Sequence, residues 1–159
     1  MKVTCKDSKN FELFDNEEKL GSLNYNTWFS YNADLEVGSN EKYEVKPTGL
    51  LGATFAVYKN DEQLATFKMN WKGQMTLTFK DGKEFVFKRK SMLNSKYVIE
   101  NEKEHEVVQF IPCFDWTKFK YSYDIFYNDK ARNILLVLLG MYCSNYYIAI
   151  SGGAVTTSM

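Results

Sequence analysis

One long apolar run, NILLVLLGMYCSNYYIAI from Asn133 to Ile150, constrains the fold of this chain more than any other feature of the sequence. From Ile134 onward the run is apolar on every side of a helix, and such a helix must be surrounded by protein or by lipid. The Asn128-Asp129 pair before it predicts a helix N-cap. We therefore predict a helix over residues 129–151, followed by a short tail over residues 152–159.

Residues 1–128 follow a different pattern, an alternation of apolar and polar side chains with a period of two, which predicts β-strands. In the stretch QMTLTFKDGKEFVF, apolar Met75, Leu77 and Phe79 alternate with polar residues, and Asp81-Gly82 predicts a tight hairpin turn with positive φ angles. The turn signals of the whole region indicate on the order of ten to twelve short antiparallel strands, arranged as a sandwich or a barrel. Further turns are predicted at Asn60-Asp61, Lys72-Gly73 and residues 101–103.

These two patterns fit each other geometrically. A closed sheet of roughly twelve strands has a lumen too wide for its own side chains to fill. A helix of the length of the apolar run is about 26 Å long, which is close to the height of such a barrel. We therefore predict a single domain over residues 1–159 of the mainly β class. It is a closed antiparallel barrel of about twelve strands, built from residues 1–128, that encloses one hydrophobic C-terminal α-helix.

A membrane environment for the helix is the alternative. The stretch from Ile134 to Ile150 reaches the short limit for a bilayer-spanning helix, and Tyr146 and Tyr147 could lie at a membrane interface. Ser144 and Asn145 argue against it, because a polar side chain inside lipid is costly unless it finds a partner. On this alternative the chain is a tail-anchored membrane protein with a cytoplasmic β domain.

Composition and charge disfavour several classes of function. The chain carries 20 basic and 20 acidic residues, and the only arginines are Arg89 and Arg132. Because nucleic-acid-binding proteins present an excess of positive charge and rely on Arg to contact phosphate and guanine, we expect no nucleic acid partner. The three cysteines lack paired spacing, and the N-terminal segment lacks the apolar stretch of a secretory signal. We therefore expect reduced thiols and a cytoplasmic protein.

The sequence offers no catalytic or metal-binding signature, so we expect a protein that is not an enzyme and that holds no cofactor or metal. His105, the single histidine, lies between two glutamates beside a predicted turn, which indicates an exposed strand position rather than a cleft. Cys113 lies eight residues further on in the apolar setting IPCF, which predicts a buried thiol rather than a nucleophile paired with His105. The acidic runs lack the ligand spacing and central glycine of a calcium loop.

One cluster of basic side chains is a candidate binding site. These residues surround a predicted hairpin, and a sheet could bring them together at one end. Such a cluster would attract anionic lipid head groups with a free energy of about 1 kcal/mol per basic residue. The alternative is that these lysines only protect a strand edge from aggregation, which the nearby Asp81 and Glu84 favour. The five candidate contacts are Lys80, Lys83, Lys88, Arg89 and Lys90.

The chain resembles the tubby C-terminal-like superfamily, which includes tubby, the plant LURP-one-related proteins and the phospholipid scramblases. The resemblance is carried by FELFDNEEKLGSLNY near the start, by YEVKPTGLLGATFAVYKNDEQLATFKMNWKGQMTLTFKDGKEFVFKRK in the centre and by the helix NILLVLLGMYCSNYYIAI. It implies a barrel of about twelve strands threaded by the C-terminal helix, and a role that ranges from phosphoinositide binding to lipid scrambling. The proline-rich segment, cysteine cluster and acidic calcium-binding stretch of the scramblases cannot be recognised in this sequence.

Together these observations predict a monomeric, cytoplasmic, non-enzymatic protein that works in binding or regulation, with an anionic phospholipid or a protein as its partner. It would be peripheral to the membrane. The alternatives are the tail-anchored protein and a scramblase-like protein that handles lipids. A third alternative is a barrel that binds a small ligand, which is weaker if the helix fills the lumen and leaves no cavity.

Overall fold

A computed structural model describes residues 1–7, 9–27, 31–49, 54–91, 96–118, 120–128 and 132–156, and the side chains of the helix as far as residue 151. Twelve strands are followed by one helix. The elements are β1 (Lys2–Cys5), β2 (Asn10–Asp15), β3 (Glu18–Tyr25), β4 (Ala33–Val37), β5 (Glu41–Pro47), β6 (Thr54–Lys59), β7 (Glu62–Met69), β8 (Met75–Phe79), β9 (Glu84–Ser91), β10 (Lys96–Asn101), β11 (Glu106–Asp115), β12 (Lys120–Tyr127) and α1 (Ile134–Thr156).

The strands form a closed antiparallel barrel in which every strand pairs with its neighbours in the sequence. The barrel closes where β1 pairs with β12, through Lys2 opposite Asp124 and Val3 opposite Tyr123. Inward-facing residues alternate with outward-facing ones along each strand, as in β8, where Met75 and Leu77 are buried. The predicted fold class, a mainly β closed barrel of about twelve strands with one apolar C-terminal helix, is confirmed.

Hairpin turns occur at the predicted positions, with one difference in geometry. Asn60 and Asp61 both have positive φ angles, 51° and 64°, which gives the two-residue turn that suits a β-hairpin. Gly82 has a φ of 88°, but Asp81 does not share a positive φ, and four residues separate β8 from β9. The expectation of two positive φ angles at Asp81-Gly82 is therefore wrong, because the longer connection needs the left-handed conformation only at the glycine.

The helix α1 fills the lumen of the barrel. Every residue from Leu136 to Ser144 is buried. The fit is close at Gly140, where an added methyl group would lie 2.6 Å from Cε2 of Phe110 and 2.9 Å from Cδ1 of Ile99. Ile134–Ser151 is long and apolar enough to cross a membrane by length and composition alone, and half of this stretch is buried inside the barrel. The predicted buried helix is confirmed.

The ends of the helix differ from the prediction. Its N-cap is Asn133, whose side-chain Oδ1 accepts the backbone N–H of Leu136 at 3.1 Å. Asn128 is not the N-cap, because the helix begins six residues further on, and the backbone N–H of Asn128 still donates to the carbonyl of Val107 beside β11. Asp129 lies outside the described residues. The helix therefore begins at Ile134 rather than at residue 129, and it continues to residue 156 through most of the predicted tail.

The connections between strands alternate between the two ends of the barrel, because consecutive strands are antiparallel. We call the end with the connections after β2, β4, β6, β8, β10 and β12 the start rim, since α1 begins there. The end with the connections after β1, β3, β5, β7, β9 and β11 is the exit rim. Each rim consists of these connections and of the two terminal residues that every strand has at that end, whether the strand begins or ends there. At the exit rim the hydroxyl of Tyr142 donates to the carbonyl of Tyr31 at 2.5 Å, and the hydroxyl of Tyr147 donates to the carbonyl of Gly73.

Candidate functional site

Polar groups inside the barrel are bonded to one another and serve the fold. The hydroxyl of Tyr123 donates to Oδ1 of Asn145 at 2.5 Å, and Nδ2 of Asn145 donates to the hydroxyl of Tyr25 at 3.2 Å. The hydroxyl of Ser144 donates to the carbonyl of Gly140 at 2.8 Å. Burial raises the pKa of Tyr25 and of Tyr123 above the ordinary value, so both phenols stay neutral. This network gives the two polar residues of the apolar run the partners they need.

The structure does not bring His105 and Cys113 together. His105 is exposed in the connection between β10 and β11, and Cys113 lies eight residues along the chain in β11, roughly 26 Å away at the rise of an extended strand. Cys113 is exposed, so the prediction of a buried thiol is wrong, because the outward face of β11 carries it. Within the described residues, no group of three or more His, Cys, Asp or Glu side chains is arranged to hold a metal ion.

The five basic residues of the predicted cluster do not share one end of the barrel. Lys80 and Lys83 lie at the start rim, whereas Lys88 to Lys90 lie in the half of β9 that leads to the exit rim. Lys83 and Lys90 are about 23 Å apart along the strand direction. Four of the five have carboxylate partners: Lys80 with Glu62, Lys83 with Asp81 at 3.4 Å, Lys88 with Glu100 at 2.7 Å, and Lys90 with Glu106. The structure therefore does not bring these five residues together at one end of the hairpin, and their contact with a head group stays a prediction.

Charge is instead segregated between the two ends of the whole barrel. Among its described residues the exit rim has nine lysines and three aspartates, an excess of six positive charges, although Lys6, Lys46 and Lys90 are each paired with a glutamate that is not counted in this rim. Eight basic and thirteen acidic residues lie at the described start rim, an excess of five negative charges. The exit-rim residues are Lys6, Lys9, Lys46, Lys68, Lys72, Lys90, Lys96, Lys118 and Lys120, with Asp7, Asp34 and Asp115. The start-rim residues are Lys2, Lys19, Lys42, Lys59, Lys80, Lys83, Lys103 and Arg132, with Asp15, Glu17, Glu18, Glu36, Glu41, Asp61, Glu62, Asp81, Glu84, Glu100, Glu102, Glu104 and Glu106.

Large apolar side chains are exposed at the same positive end. Four of the five exposed large apolar residues that the structure describes lie at the exit rim or at the end of α1 that emerges there. Trp71 is 90% exposed and Trp116 is 77% exposed, with Tyr31 and Ile150 exposed to a smaller degree. The ammonium group of Lys72 lies 5.3 Å from the centre of the Trp71 ring. The fifth residue, Phe126, lies on β12 near the start rim.

The three aromatic residues are evenly spaced around the exit rim. Tyr31 precedes β4, Trp71 lies between β7 and β8, and Trp116 lies between β11 and β12, so four strands separate each from the next in the twelve-stranded barrel. A barrel of this size is about 25 Å across. Ile150 lies near the centre, on the helix that passes through the lumen. We call Tyr31, Trp71, Trp116 and Ile150, with the surrounding exit-rim lysines, the exit surface.

The sequence analysis missed the exit surface, although its signal is present in the sequence. Once consecutive hairpins are assigned to a closed barrel, alternate connections must lie at the same end. The strand ends that flank the connections after even-numbered strands are rich in acidic residues, as in DNEE from Asp15. The connection after β7 instead carries Trp71 and Lys72, and that after β11 carries Trp116 and Lys118. The total charge of zero hides this difference, because the two ends cancel.

The fold and the exit surface define a class: a closed twelve-stranded antiparallel barrel with a central helix, and with one rim that is both basic and aromatic. Comparison with models of known protein families, with curated proteins and with solved structures found no match in any of the three. Barrel shape alone does not identify the tubby-like superfamily, so the resemblance stays a prediction.

Proposed function

We propose that the protein is a non-enzymatic, peripheral membrane-binding protein that docks its exit surface on an anionic bilayer. It would act as a monomer at the cytoplasmic face of the membrane, in binding or regulation. The observation that carries the proposal is the coincidence of exposed tryptophans and excess lysines on one end of a barrel whose opposite end is acidic. This proposal replaces the hairpin cluster around Lys80 with the exit-rim lysines, a set that shares only Lys90 with that cluster.

The spacing of the aromatic residues favours a flat partner. Tyr31, Trp71 and Trp116 are distributed around a rim about 25 Å across, so a small ligand could not contact all three at once. A bilayer surface can, and tryptophan and tyrosine rings favour the membrane–water interface, where one part of the ring is in an apolar and another in a wet environment. Three evenly spaced contacts would hold the barrel axis close to the membrane normal.

The charge distribution favours an anionic surface and one orientation. A lysine near an anionic membrane contributes about 1 kcal/mol. Three of the nine exit-rim lysines are already paired with glutamates, which leaves an excess of three positive charges to attract an anionic surface after partial screening. The excess of negative charge at the start rim would be repelled. The protein can therefore have a formal charge of zero and still bind anionic lipid, because only the near end lies within a Debye length of the surface.

A tail anchor, the main alternative, would require α1 to leave the lumen. Tyr123 and Tyr25 would then lose Asn145 as a hydrogen-bond partner, and the inward faces of the strands would be open to water. In lipid, Asn145 would be the polar group without a partner, at a cost of about 1–3 kcal/mol, in addition to the apolar area of the strands that would be exposed to water. These costs favour the helix as the core of the barrel and the exit surface as the membrane contact.

Vesicle binding by the full chain tests the proposal. The protein is mixed with neutral phosphatidylcholine vesicles or with vesicles that contain phosphatidylserine, and binding is measured by sedimentation. We expect strong binding only to the phosphatidylserine vesicles. Lys72→Gln with Lys118→Gln should weaken that binding by roughly thirtyfold, from about 1 kcal/mol per lysine. The matched control, Lys83→Gln with Lys103→Gln, removes the same charge from the start rim and should leave binding unchanged or slightly stronger.

The aromatic contribution is tested separately. Trp71→Ala with Trp116→Ala should weaken binding to the same vesicles, because both rings lose their interfacial contacts. Phe126→Ala removes an exposed aromatic ring distant from the exit surface and should have no effect. The proposal is wrong if Phe126→Ala weakens binding as much as the tryptophan substitutions, or if the full chain binds neither type of vesicle. Competition by RNA at equal phosphate concentration would indicate a nucleic acid partner instead.

A further inference from the structure

The lumen is open at the start rim. The first turn of α1 and the inward-facing ends of the strands border an open cavity of about 940 Å³. This volume lies within the range of about 300–1,000 Å³ in which proteins bind small molecules. Its floor is apolar and consists of Ile134, Leu135 and Leu136. The helix therefore excludes a ligand from the middle of the barrel but leaves a site for one at this mouth.

Aromatic side chains form the wall of the cavity. Tyr43, Phe79, Phe85 and Tyr127 line it from four different strands. Phe79 and Phe85 meet edge to face with their ring centres 5.9 Å apart, and both are only half-buried. A ligand with an apolar body would cover these rings, and their faces attract organic cations through the ring quadrupole. The wall therefore combines apolar burial with a preference for positive charge.

The edge of the cavity carries charges of both signs, with an excess of one negative charge. Lys83 is paired with Asp81 at 3.4 Å, Arg132 with an aspartate outside the cavity, and Glu41 with a lysine outside the cavity at 3.6 Å. Glu84 and Glu102 lie next to each other, since Oε1 of Glu102 accepts the backbone N–H of Glu84 at 3.2 Å. The charged residues at the edge are Glu41, Asp81, Glu84 and Glu102, with Lys83, Lys103 and Arg132.

The N-terminus of α1 at the floor of the cavity favours an anion, but its electrostatic effect is weaker than that of the two edge carboxylates. A helix N-terminus corresponds to about half a positive charge, and its effect fades within the first turn. Part of it is already used, because the side chain of Asn133 accepts the N–H of Leu136. Glu84 and Glu102 carry two negative charges at the edge, against one positive charge on Lys103, in the field of a rim with excess negative charge. Oε1 of Glu84 also accepts the hydroxyl of Thr78 at 3.3 Å. A cation at the edge is therefore favoured over an anion.

We propose that this cavity binds a small amphipathic organic cation. The apolar part of the ligand lies against Leu135 and the aromatic wall, and its ammonium group lies at the edge between Glu84 and Glu102. The site is at the opposite end of the barrel from the exit surface, so it does not depend on the membrane-binding proposal. A ligand could occupy it while the exit surface is docked.

Titration of the full chain with three short ligands of equal chain length tests the proposal. Hexyltrimethylammonium, hexyl sulfate and hexanol differ in charge but share the alkyl chain, and all stay monomeric at millimolar concentration. Binding is followed by methyl NMR signals of Val37, Val107 and Leu135, which line the cavity. We expect saturable binding of hexyltrimethylammonium, at least tenfold tighter than that of hexyl sulfate, with shifts of the methyl signals of all three residues.

A charge-matched pair of variants locates the ammonium group. Glu84→Gln with Glu102→Gln should weaken hexyltrimethylammonium binding by about tenfold, from two exposed charge contacts. Glu17→Gln with Glu18→Gln removes the same charge from the same rim outside the cavity, and should change binding by less than about twofold. Hexanol binding should be equal in both variants.

Three results would overturn the proposal. Absence of saturable binding by hexyltrimethylammonium would show that the cavity does not hold such a ligand. Hexyl sulfate binding as tightly as the cation would show that the helix N-terminus decides the preference. An equal loss of affinity in the two double variants would show that the whole rim attracts the cation without a defined site. Vesicle binding is measured independently, so each of these results leaves the membrane proposal intact.

Discussion

Substitution of Gly140 by alanine is a direct test of how tightly α1 is held in the barrel. The added methyl group would lie 2.6 Å from Cε2 of Phe110 and 2.9 Å from Cδ1 of Ile99. Carbon atoms in favourable contact are about 3.5–4.0 Å apart, so the methyl group is too close to two fully buried neighbours by roughly 1 Å. Phe110 has little room to move, because its ring lies beside that of Phe87, 6.1 Å between centres.

Two opposing effects set the change in the free energy of unfolding that Gly140→Ala causes. Overpacking of a closely packed core costs about 1–3 kcal/mol, and two simultaneous conflicts place Gly140 at the upper end of that range. Alanine is about 1 kcal/mol more favourable than glycine in a helix, which offsets part of the cost. We expect Gly140→Ala to lower the free energy of unfolding by about 1–2 kcal/mol. For a chain of this length that corresponds to a decrease in Tm of about 2–8 °C.

Urea unfolding followed by circular dichroism measures this change, with two controls. Ala149→Gly, at an exposed position of the same helix, measures the helix-propensity effect alone and should cost at most about 1 kcal/mol. Phe110→Leu removes the ring that blocks the methyl group. In that background Gly140→Ala should cost less, with a coupling energy of at least about 1 kcal/mol between the two substitutions.

An unchanged or increased stability of Gly140→Ala, without coupling to Phe110, would refute the reasoning. That outcome would mean that position 140 faces space rather than the barrel wall. It is also the outcome expected for a helix in lipid, where the substitution changes only helix propensity. The experiment therefore separates the two environments that the apolar run leaves open in the sequence.

Three further predictions follow from the interior. A chain that ends at Asn128 lacks the helix and should aggregate on size-exclusion chromatography, because the inward apolar faces lose their cover; a folded monomer would contradict this. Asn145→Leu should lower the free energy of unfolding, measured in urea, by about 2–4 kcal/mol, because it leaves the hydroxyls of Tyr25 and Tyr123 without their partner. A loss below about 0.5 kcal/mol would refute the role of that network. Burial raises the pKa of these two tyrosines above the ordinary value near 10. Above about pH 10 the unfolded state therefore loses their protons while the folded state keeps them. The free energy of unfolding should fall there by up to about 1.4 kcal/mol per pH unit for each phenol. Tyrosinate absorbance and circular dichroism, followed together through pH 10, test the last prediction. It is contradicted if the barrel stays folded while more tyrosines ionise than the exposed ones account for.

Local patterns in the sequence predict the walls of the barrel well. The alternation in β8 and the positive φ at Gly82 depend on neighbours within a few residues, so a stretch such as QMTLTFKDGKEFVF carries its own structural information. The start of the helix was predicted less well. Asn128 and Asn133 are both suitable N-caps by residue type. Which of them caps the helix depends on where the chain stops pairing with β11, and the bond from Asn128 to Val107 shows that this pairing extends to Asn128.

Long-range placement explains why the candidate site was missed. Lys83 and Lys90 are close in sequence and belong to the same hairpin, which favoured the interpretation of a single basic cluster. The strand between them carries Lys90 toward the opposite end of the barrel. Conversely, Trp71 and Trp116 are distant in sequence but share a rim, and no local pattern relates them. Only the topology of a closed barrel brings such residues onto one surface.

The central helix also determines where membrane contact can occur. The helix fills the lumen with buried apolar side chains, and its Asn145 is hydrogen-bonded there to two tyrosines, partners that would be lost in lipid. With the helix held inside, its apolar surface is unavailable to a bilayer except near Ile150, where it emerges between the exposed aromatic residues of the exit rim. A membrane interaction by this chain must then be superficial and electrostatic in large part. Such an interaction should weaken steeply as the salt concentration rises, which an inserted helix would not.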